Sequence, residues 1–363
     1  MARRGEAIYH RKDGLWEARY VKEVDITGKK KYGSVYGHSY REVKEKRQDI
    51  MDQLLLFQKA PPTRRITIAE LGKEWLLLNQ NRLKPSSYQR YQGFLKNHIE
   101  GTIGRMSAVY VTTMVIHAFA VEQQKSGLSP SSVNSVLTFL HSILKYGQQH
   151  YHLPLPEMVY MSSPRKEMRV LSAAEQQTLV EYLLSDLDIY KLGVLVALYM
   201  GLRIGELCGL RWSDIEEDCL TVRRTVQRLK NEHGDGTVLH IGEPKTGSSL
   251  RTVPIPSFLQ LRIAGFRPRD VDRYFLSAHP QDVPEPRMMQ YKFQQYLKAA
   301  GIEKANFHAL RHTFATRCVE CGFEIKSLSE ILGHSSVQTT LNKYVHSSFE
   351  LKKANMELLA LNL

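Results

Sequence analysis

At 363 residues, with 42% hydrophobic and 24% charged residues, the chain has the composition of a soluble globular protein longer than one average domain, so two or three domains are expected. Its formal charge of +13 draws it toward polyanions, nucleic acid above all, and that charge is concentrated early: residues 1–65 hold 16 Lys and Arg against 9 Asp and Glu, residues 166–363 hold 25 against 23. Four cysteines are too few to staple such a chain, the Met1-Ala2-Arg3-Arg4 start lacks an apolar signal core, and the longest apolar run, Leu192 to Leu202, is too short for a bilayer; a cytoplasmic protein with no membrane contact is expected.

Residues 1–58 read as a three-stranded sheet plus a helix. Ala7 to Arg11, Leu15 to Val21 and Lys31 to Tyr36 are rich in β-branched or aromatic residues, with Asp13-Gly14 and Thr27-Gly28 as turn signals. Ser39 and Glu42 form a capping-box pattern ahead of Val43, Arg47, Ile50, Met51 and Leu54 at helical spacing. A small sheet can enter a DNA major groove, which makes Trp16, Arg19, Tyr20, Lys29, Lys30 and Lys31 candidate contacts. The alternative is that Trp16 and Tyr20 pack on the helix and the lysines form a solvated turn. A linker over 59–65 follows, where Pro61-Pro62 resists regular structure and Arg64 and Arg65 suit a path along DNA.

Residues 66–160 read as helical. Thr67 and Glu70 repeat the capping box, Pro85-Ser86 introduces Tyr88, Tyr91, Phe94 and Leu95, and Ser129-Pro130 opens a helix with Val133, Val136, Leu137, Leu140, Ile143 and Leu144 on one stripe. Those stripes are packing; Lys84, Ser86, Ser87, Tyr88 and Arg90 are the phosphate-contact candidates. A second linker over 161–170 leads to 171–346, whose first helix is capped by Ser172 and Glu175.

The chemistry concentrates in that last domain. Gly201-Leu202-Arg203-Ile204-Gly205-Glu206-Leu207 is apolar, yet carries Arg203 and Glu206 three apart, and a buried Arg demands a carboxylate or an anion. Val238 to Ile241 and Leu250 to Ile255 read as a hairpin with Lys245 at its tip, although a turn lysine is by itself ordinary surface. His308 and Arg311 share a helix face and can converge on one anion. Gly333-His334 reads as a helix stop with an imidazole at the turn, and the Val337, Thr340, Leu341, Tyr344 spacing lets apolar residues dock while a phenol overhangs the same place. Guanidinium and imidazole suit a phosphate, and a phenol beside them suits a nucleophile.

These segments, in this order, resemble the tyrosine recombinase (phage integrase) family over most of residues 167–363. The resemblance implies a multidomain chain, mainly α with small β-sheets: an arm-type DNA-binding domain, a helical core-binding domain and a mixed α+β catalytic domain. It implies that Arg203 and Arg311 clamp the scissile phosphate, that Glu206 supports the first arginine, and that Lys245 protonates the leaving 5′ oxygen. His308 and His334 would hydrogen-bond the phosphate and assist proton transfer, and Tyr344 would form a 3′-phosphotyrosine link, with no metal and no other cofactor. The N-terminal segment is similar in pattern to arm-binding domains of phage and conjugative-transposon integrases. Double-stranded DNA with core and arm sites, a homotetramer on synapsed DNA, a four-way junction, and possible excisionase and host DNA-bending partners are likewise implied. Residues 347–363, carrying Phe349, Leu351, Met356, Leu358, Leu359 and Leu361, would dock on a neighbouring subunit, with docking in cis as the alternative.

Three other readings compete. Cys318 and Cys321 have zinc-like spacing near His308 and His312, but all four fall on one continuous helical pattern where a tetrahedral cage does not close. A DNA-binding regulator that no longer cuts has no need of a positioned phenol. A type IB topoisomerase shares the chemistry without partner exchange, and the N- and C-terminal segments argue against it.

Overall fold

The computed structural model describes residues 7–24, 30–59, 66–163, 168–231, 234, 236–242, 250–277, 279 and 282–344. The chain divides into two compact units, residues 1–83 with 90–162, and residues 84–89 with 163–363.

The first unit opens with β1 (Ile8–His10), β2 (Trp16–Val24) and β3 (Lys30–Gly37) in an antiparallel sheet of that order. Ala18 lies opposite both Ile8 and Val35, and because strand side chains alternate, these share a face with Trp16. The helix α1 (Tyr40–Lys59) covers that face through Val43. Its start is satisfied as the sequence suggests: Ser39 Oγ accepts from the Glu42 N–H (3.2 Å), and the Glu42 carboxylate accepts from the His38 N–H (2.9 Å).

Helices then follow: α2 (Ile68–Asn79), α3 (Pro85–Phe94, of which residues 85–89 are assigned to the second unit), a π turn over Leu95–Ile99, α4 (Thr113–Lys125) and α5 (Pro130–Tyr151). Thr67 and Glu70 close a reciprocal capping box on α2, and Ser129 caps α5 with Pro130 in its first turn. The six apolar positions of the α5 stripe are all buried, and Phe139 joins them, stacked on Tyr91 at 4.9 Å.

The second unit holds α6 (Ala173–Ser185), α7 (Ile189–Met200), α8 (Ile204–Gly209), α9 (Ser257–Phe266), α10 (Pro286–Ala299), α11 (His308–Glu320), α12 (Ile325–Leu332) and α13 (Val337–Tyr344). Two small antiparallel sheets accompany them, β4 (Cys219–Val222) with β7 (Arg251–Pro254), and β5 (Thr225–Lys230) with β6 (Thr237–Gly242). The longest apolar run of the sequence becomes α7, buried on every side as a helix apolar all round must be, and it forms the hub of the core.

The sheets correct one expectation. β6 and β7 do not form a hairpin with each other; β6 pairs with β5 and β7 with β4. Between β5 and β6 lies Gly234-Asp235-Gly236, a stronger hairpin signal than Pro244-Lys245-Thr246-Gly247, and Gly236 takes the left-handed φ of 96° that such a turn requires. Lys245 itself falls outside the described residues, as do Lys29, Arg64, Arg65, residues 60–65 of the first linker and the segment 347–363.

Candidate active site

The site begins at the corner between α7 and α8. Gly201 ends α7 with φ 64°, and a Cβ there would lie 2.5 Å from Phe314 Cδ1, so both the turn and the packing call for glycine. The sharp turn makes Arg203 the residue before α8 and places Glu206 in its first turn. The Glu206 carboxylate accepts from the Arg203 backbone N–H at 3.0 Å and from the Arg203 guanidinium at 2.6 Å. It also accepts two bonds from Arg251, at 3.2 and 2.9 Å. Arg203 is about one-third exposed, whereas Glu206 and Arg251 are buried. Arg251 in turn donates from Nε to the Ile331 carbonyl (2.5 Å), tying the start of β7 to the end of α12.

The second half is carried by α11, α12 and α13. Arg311 is only 1% exposed, and its two terminal nitrogens donate to the Gly201 carbonyl (2.8 Å) and the Leu332 carbonyl (2.6 Å). It thereby bolts the C-termini of α7 and α12 together, satisfying carbonyls that helix ends leave unpaired. Gly333, at φ 62°, stops α12 and presents His334, whose Nδ1 lies 2.8 Å from Thr340 Oγ1. Tyr344 packs with Ala315, Cys318, Leu328 and Leu332 at 7% exposure, its ring parallel to that of His334 at 6.4 Å. Its hydroxyl lies 2.8 Å from His312 Nδ1, and the His312 ring meets that of His308 edge-on at 4.4 Å.

Three guanidiniums gather around one carboxylate. Burial by itself would raise the Glu206 carboxyl, but the hydrogen bond and charge of Arg251, with Arg203, carry it down to about 2. Burial and the positive charge of Arg203 pull the Arg311 guanidinium down to about 9, still charged at neutral pH. Burial pushes the Tyr344 phenol up, and the charges of Arg311 and Arg203 offset this only in part. The cluster thus carries uncompensated positive charge beside a phenol, a preorganised place for an anion and for the negative charge that attack on a phosphodiester develops.

The structure brings together Arg203, Glu206, Arg311, His334 and Tyr344, but does not draw His308 and Arg311 onto one exposed point. His308 is exposed on α11 while Arg311, three residues on, turns inward to the helix ends. Nor do all the apolar residues of α13 dock: Val337 is 39% exposed, and Thr340 and Tyr344 make the buried face. Two residues escape a reading of the sequence. Arg251 shares strand parity with the buried Val253 and Ile255, and a cation at an apolar-parity position is the signal that could have exposed it. His312 stands one helical turn beyond His308, where only the fold reveals the phenol beside it. Among the described residues, no group of three His, Cys, Asp or Glu side chains could hold a metal ion.

Comparison with known proteins decides the family. The phage integrase family model matches residues 169–350, and that family's N-terminal SAM-like domain model matches 67–120. The chain belongs to the phage integrase family. It is a tyrosine-type site-specific recombinase. It is 26% identical over 357 residues to a tyrosine recombinase XerC-like protein of Caldanaerobacter subterraneus subsp. tengcongensis, covering 89% of this chain and 90% of the relative. It is 24% identical to the ICEBs1 integrase of Bacillus subtilis, covering 80% and 81%. The fold is shared with the Tn1549 transposon integrase in complex with a circular intermediate DNA, at TM-score 0.66 and 22% identity over 81% of this chain and 99% of that one. It is also shared with a lambda integrase tetramer bound to a Holliday junction, at TM-score 0.57 and 17% identity over 95% and 98%.

For this integrase-family chain the remaining sequence candidates divide by position. In the N-terminal sheet, Trp16 lies on the helix side, edge-on to Tyr40 at 5.3 Å, and Tyr20 shares its parity, its ring so close over Gly33 that a Cβ there would stand 2.6 Å from Tyr20 Cζ. Arg19 points to the open face, ion-paired with Glu17 (3.1 Å) and 6.0 Å from the Tyr9 ring centroid. Arg11, 5.4 Å over the exposed Tyr36, belongs with it and was not foreseen. Lys30 and Lys31 lie in β3, with side chains outside the described residues. At the start of α3, Lys84 and Arg90 are exposed, while Ser86, Ser87 and Tyr88 are half-buried. Among the described residues, no helix is long and apolar enough to cross a membrane.

Proposed function

We propose that this recombinase is the integrase of a mobile genetic element, joining and excising DNA through a 3′-phosphotyrosine intermediate and a four-way junction. Tyr344 attacks the scissile phosphate, Arg203 and Arg311 stabilise the charge that develops, Glu206 orients Arg203, and His308 and His334 serve the phosphate and its protons. Lys245 donates a proton to the departing 5′ oxygen. The bond energy stored in the phosphotyrosine lets a second 5′ hydroxyl complete the exchange without ATP. The observation that carries this reading is one phenol held within a cluster where, among the described residues, three guanidiniums outnumber a single carboxylate.

Residues 1–58 bind arm sites, 66–160 and 171–346 clasp the core site across the linkers 59–65 and 161–170, and 347–363 links subunits of a homotetramer. The likeness to the ICEBs1 and Tn1549 integrases supports a conjugative element as the source, and the lambda integrase tetramer on a Holliday junction supports the assembly. An excisionase and a host DNA-bending protein set the direction of the reaction. The test is covalent capture on a nicked duplex bearing the element's end, in EDTA and without ATP. Wild type gives a covalent band and Tyr344→Phe gives none while still binding; capture by Tyr344→Phe removes Tyr344 as the nucleophile.

A further inference from the structure

We infer that His312 is the proton acceptor for Tyr344, a catalytic histidine additional to His308 and His334. The inference rests on the reading of Tyr344 as the nucleophile. A phenol must lose its proton as it attacks phosphorus, and this phenol sits where burial disfavours the phenolate and the nearby Arg311 and Arg203 restore only part of the loss. An acceptor within hydrogen-bond reach is therefore required. His312 Nδ1 meets that condition, 2.8 Å from the hydroxyl oxygen.

The placement is rigid. His312 is buried in α11, its ring edge-on to His308 at 4.4 Å, and Tyr344 is held from the other side by the packing of α13 on α11 and α12. His334 stands parallel to the phenol ring, with its Nδ1 engaged by Thr340, an arrangement that suits flanking the reaction rather than taking this proton. With the His312 hydrogen on Nε2, the phenol donates to Nδ1 along the line on which the proton must travel. Among the described residues, the titratable and charged groups around the pair are His308, Arg311 and Cys318 on α11, His334 beyond α12, and Arg203 before α8.

The step balances. The Tyr344 oxygen bonds to phosphorus, its proton passes to His312 Nδ1, the bond from phosphorus to the 5′ oxygen breaks, and that oxygen leaves with the proton from Lys245. On rejoining, an incoming 5′ hydroxyl gives its proton back to the Lys245 amine as its oxygen bonds to phosphorus, the bond to the Tyr344 oxygen breaks, and the imidazolium returns its proton to the phenolate. His312 is then ready for a second cycle, and no co-reactant is consumed.

The experiment is single-turnover covalent capture on a nicked duplex bearing the element's end, from pH 5.5 to 9, with wild type, His312→Asn, His312→Gln and Tyr344→Phe. Asn and Gln can hold a hydroxyl by a hydrogen bond but cannot carry its proton. Expected are DNA binding within threefold of wild type and capture slowed about a hundred-fold or more in both amide variants. Their rates should climb close to tenfold per pH unit, because only phenol ionised by solvent then reacts, whereas wild type levels off once the imidazole is unprotonated. Capture by either amide variant within about threefold of wild type overturns the assignment, as does a slowed rate with a wild-type pH profile, which would leave His312 a positioning role only. Capture by Tyr344→Phe instead defeats the nucleophile reading itself, so the two failures are separable.

Discussion

Glu206 and Arg251 allow the electrostatic argument to be measured. Both are buried, joined by two hydrogen bonds of 2.9 and 3.2 Å, and the Glu206 carboxyl is carried from 4.5 down to about 2. At about 1.4 kcal/mol per unit, that depression corresponds to roughly 3 kcal/mol of stability at neutral pH. Glu206→Gln forfeits it and leaves a buried guanidinium without its carboxylate; Arg251→Met leaves the carboxylate with Arg203 alone. Each single change is expected to cost about 3–5 kcal/mol. The double variant removes both charges and should cost less than the sum by about 1.5–3 kcal/mol. The bond from Arg251 to the Ile331 carbonyl is lost in Arg251→Met and in the double variant alike and kept in Glu206→Gln, so it cancels from the coupling.

The assay is urea unfolding followed by tryptophan fluorescence in a Trp16→Phe, Trp75→Phe background, where the buried Trp212 alone reports on the second unit. Because the folded carboxyl is depressed, its contribution is full above pH 4.5 and is lost as pH falls from 4.5 toward 2. The gap between wild type and Glu206→Gln should therefore narrow over that window. Additivity of the single variants within about 0.5 kcal/mol, or a gap independent of pH, refutes the reasoning.

Gly201→Ala forces an L side chain into a left-handed turn, at about 1–2 kcal/mol, and drives a Cβ to 2.5 Å from Phe314 Cδ1, adding about 1–3 kcal/mol of overpacking. A melting temperature lowered by at least about 4 °C and slower capture are expected; unchanged melting contradicts the account of the corner. On the N-terminal sheet, Trp16→Ala should destabilise the sheet–helix unit through lost packing, whereas Arg19→Ala should leave its melting within about 1 °C. Arg19→Ala should instead weaken arm-site binding and lower the salt slope by about one, read by fluorescence anisotropy against salt concentration. The reverse pattern would exchange the two faces.

Local chemistry made much of this protein legible in its sequence. The capping pairs Ser39 with Glu42, Thr67 with Glu70 and Ser172 with Glu175 form because the helix-start donors they satisfy lie within four residues. The stripe from Val133 to Leu144 is buried as its helical period demands, and the ordered motifs from Arg203 to Tyr344 were enough to point to the family. What spacing could not supply was direction and long-range pairing. His308 and Arg311 share a helix, yet only the meeting of α7 and α12 gives Arg311 two carbonyls 110 and 21 residues away and draws it inward. Strand partners are not legible from spacing, because β6 pairs back with β5 rather than forward with β7, and Arg251 joins Glu206 from 45 residues away. His312 lies 32 residues from Tyr344 in the chain and 2.8 Å from its hydroxyl in space. Periodicity acts along one element, whereas a buried charge or phenol is satisfied by whatever group packing brings to it, and that was decided by the tertiary structure alone.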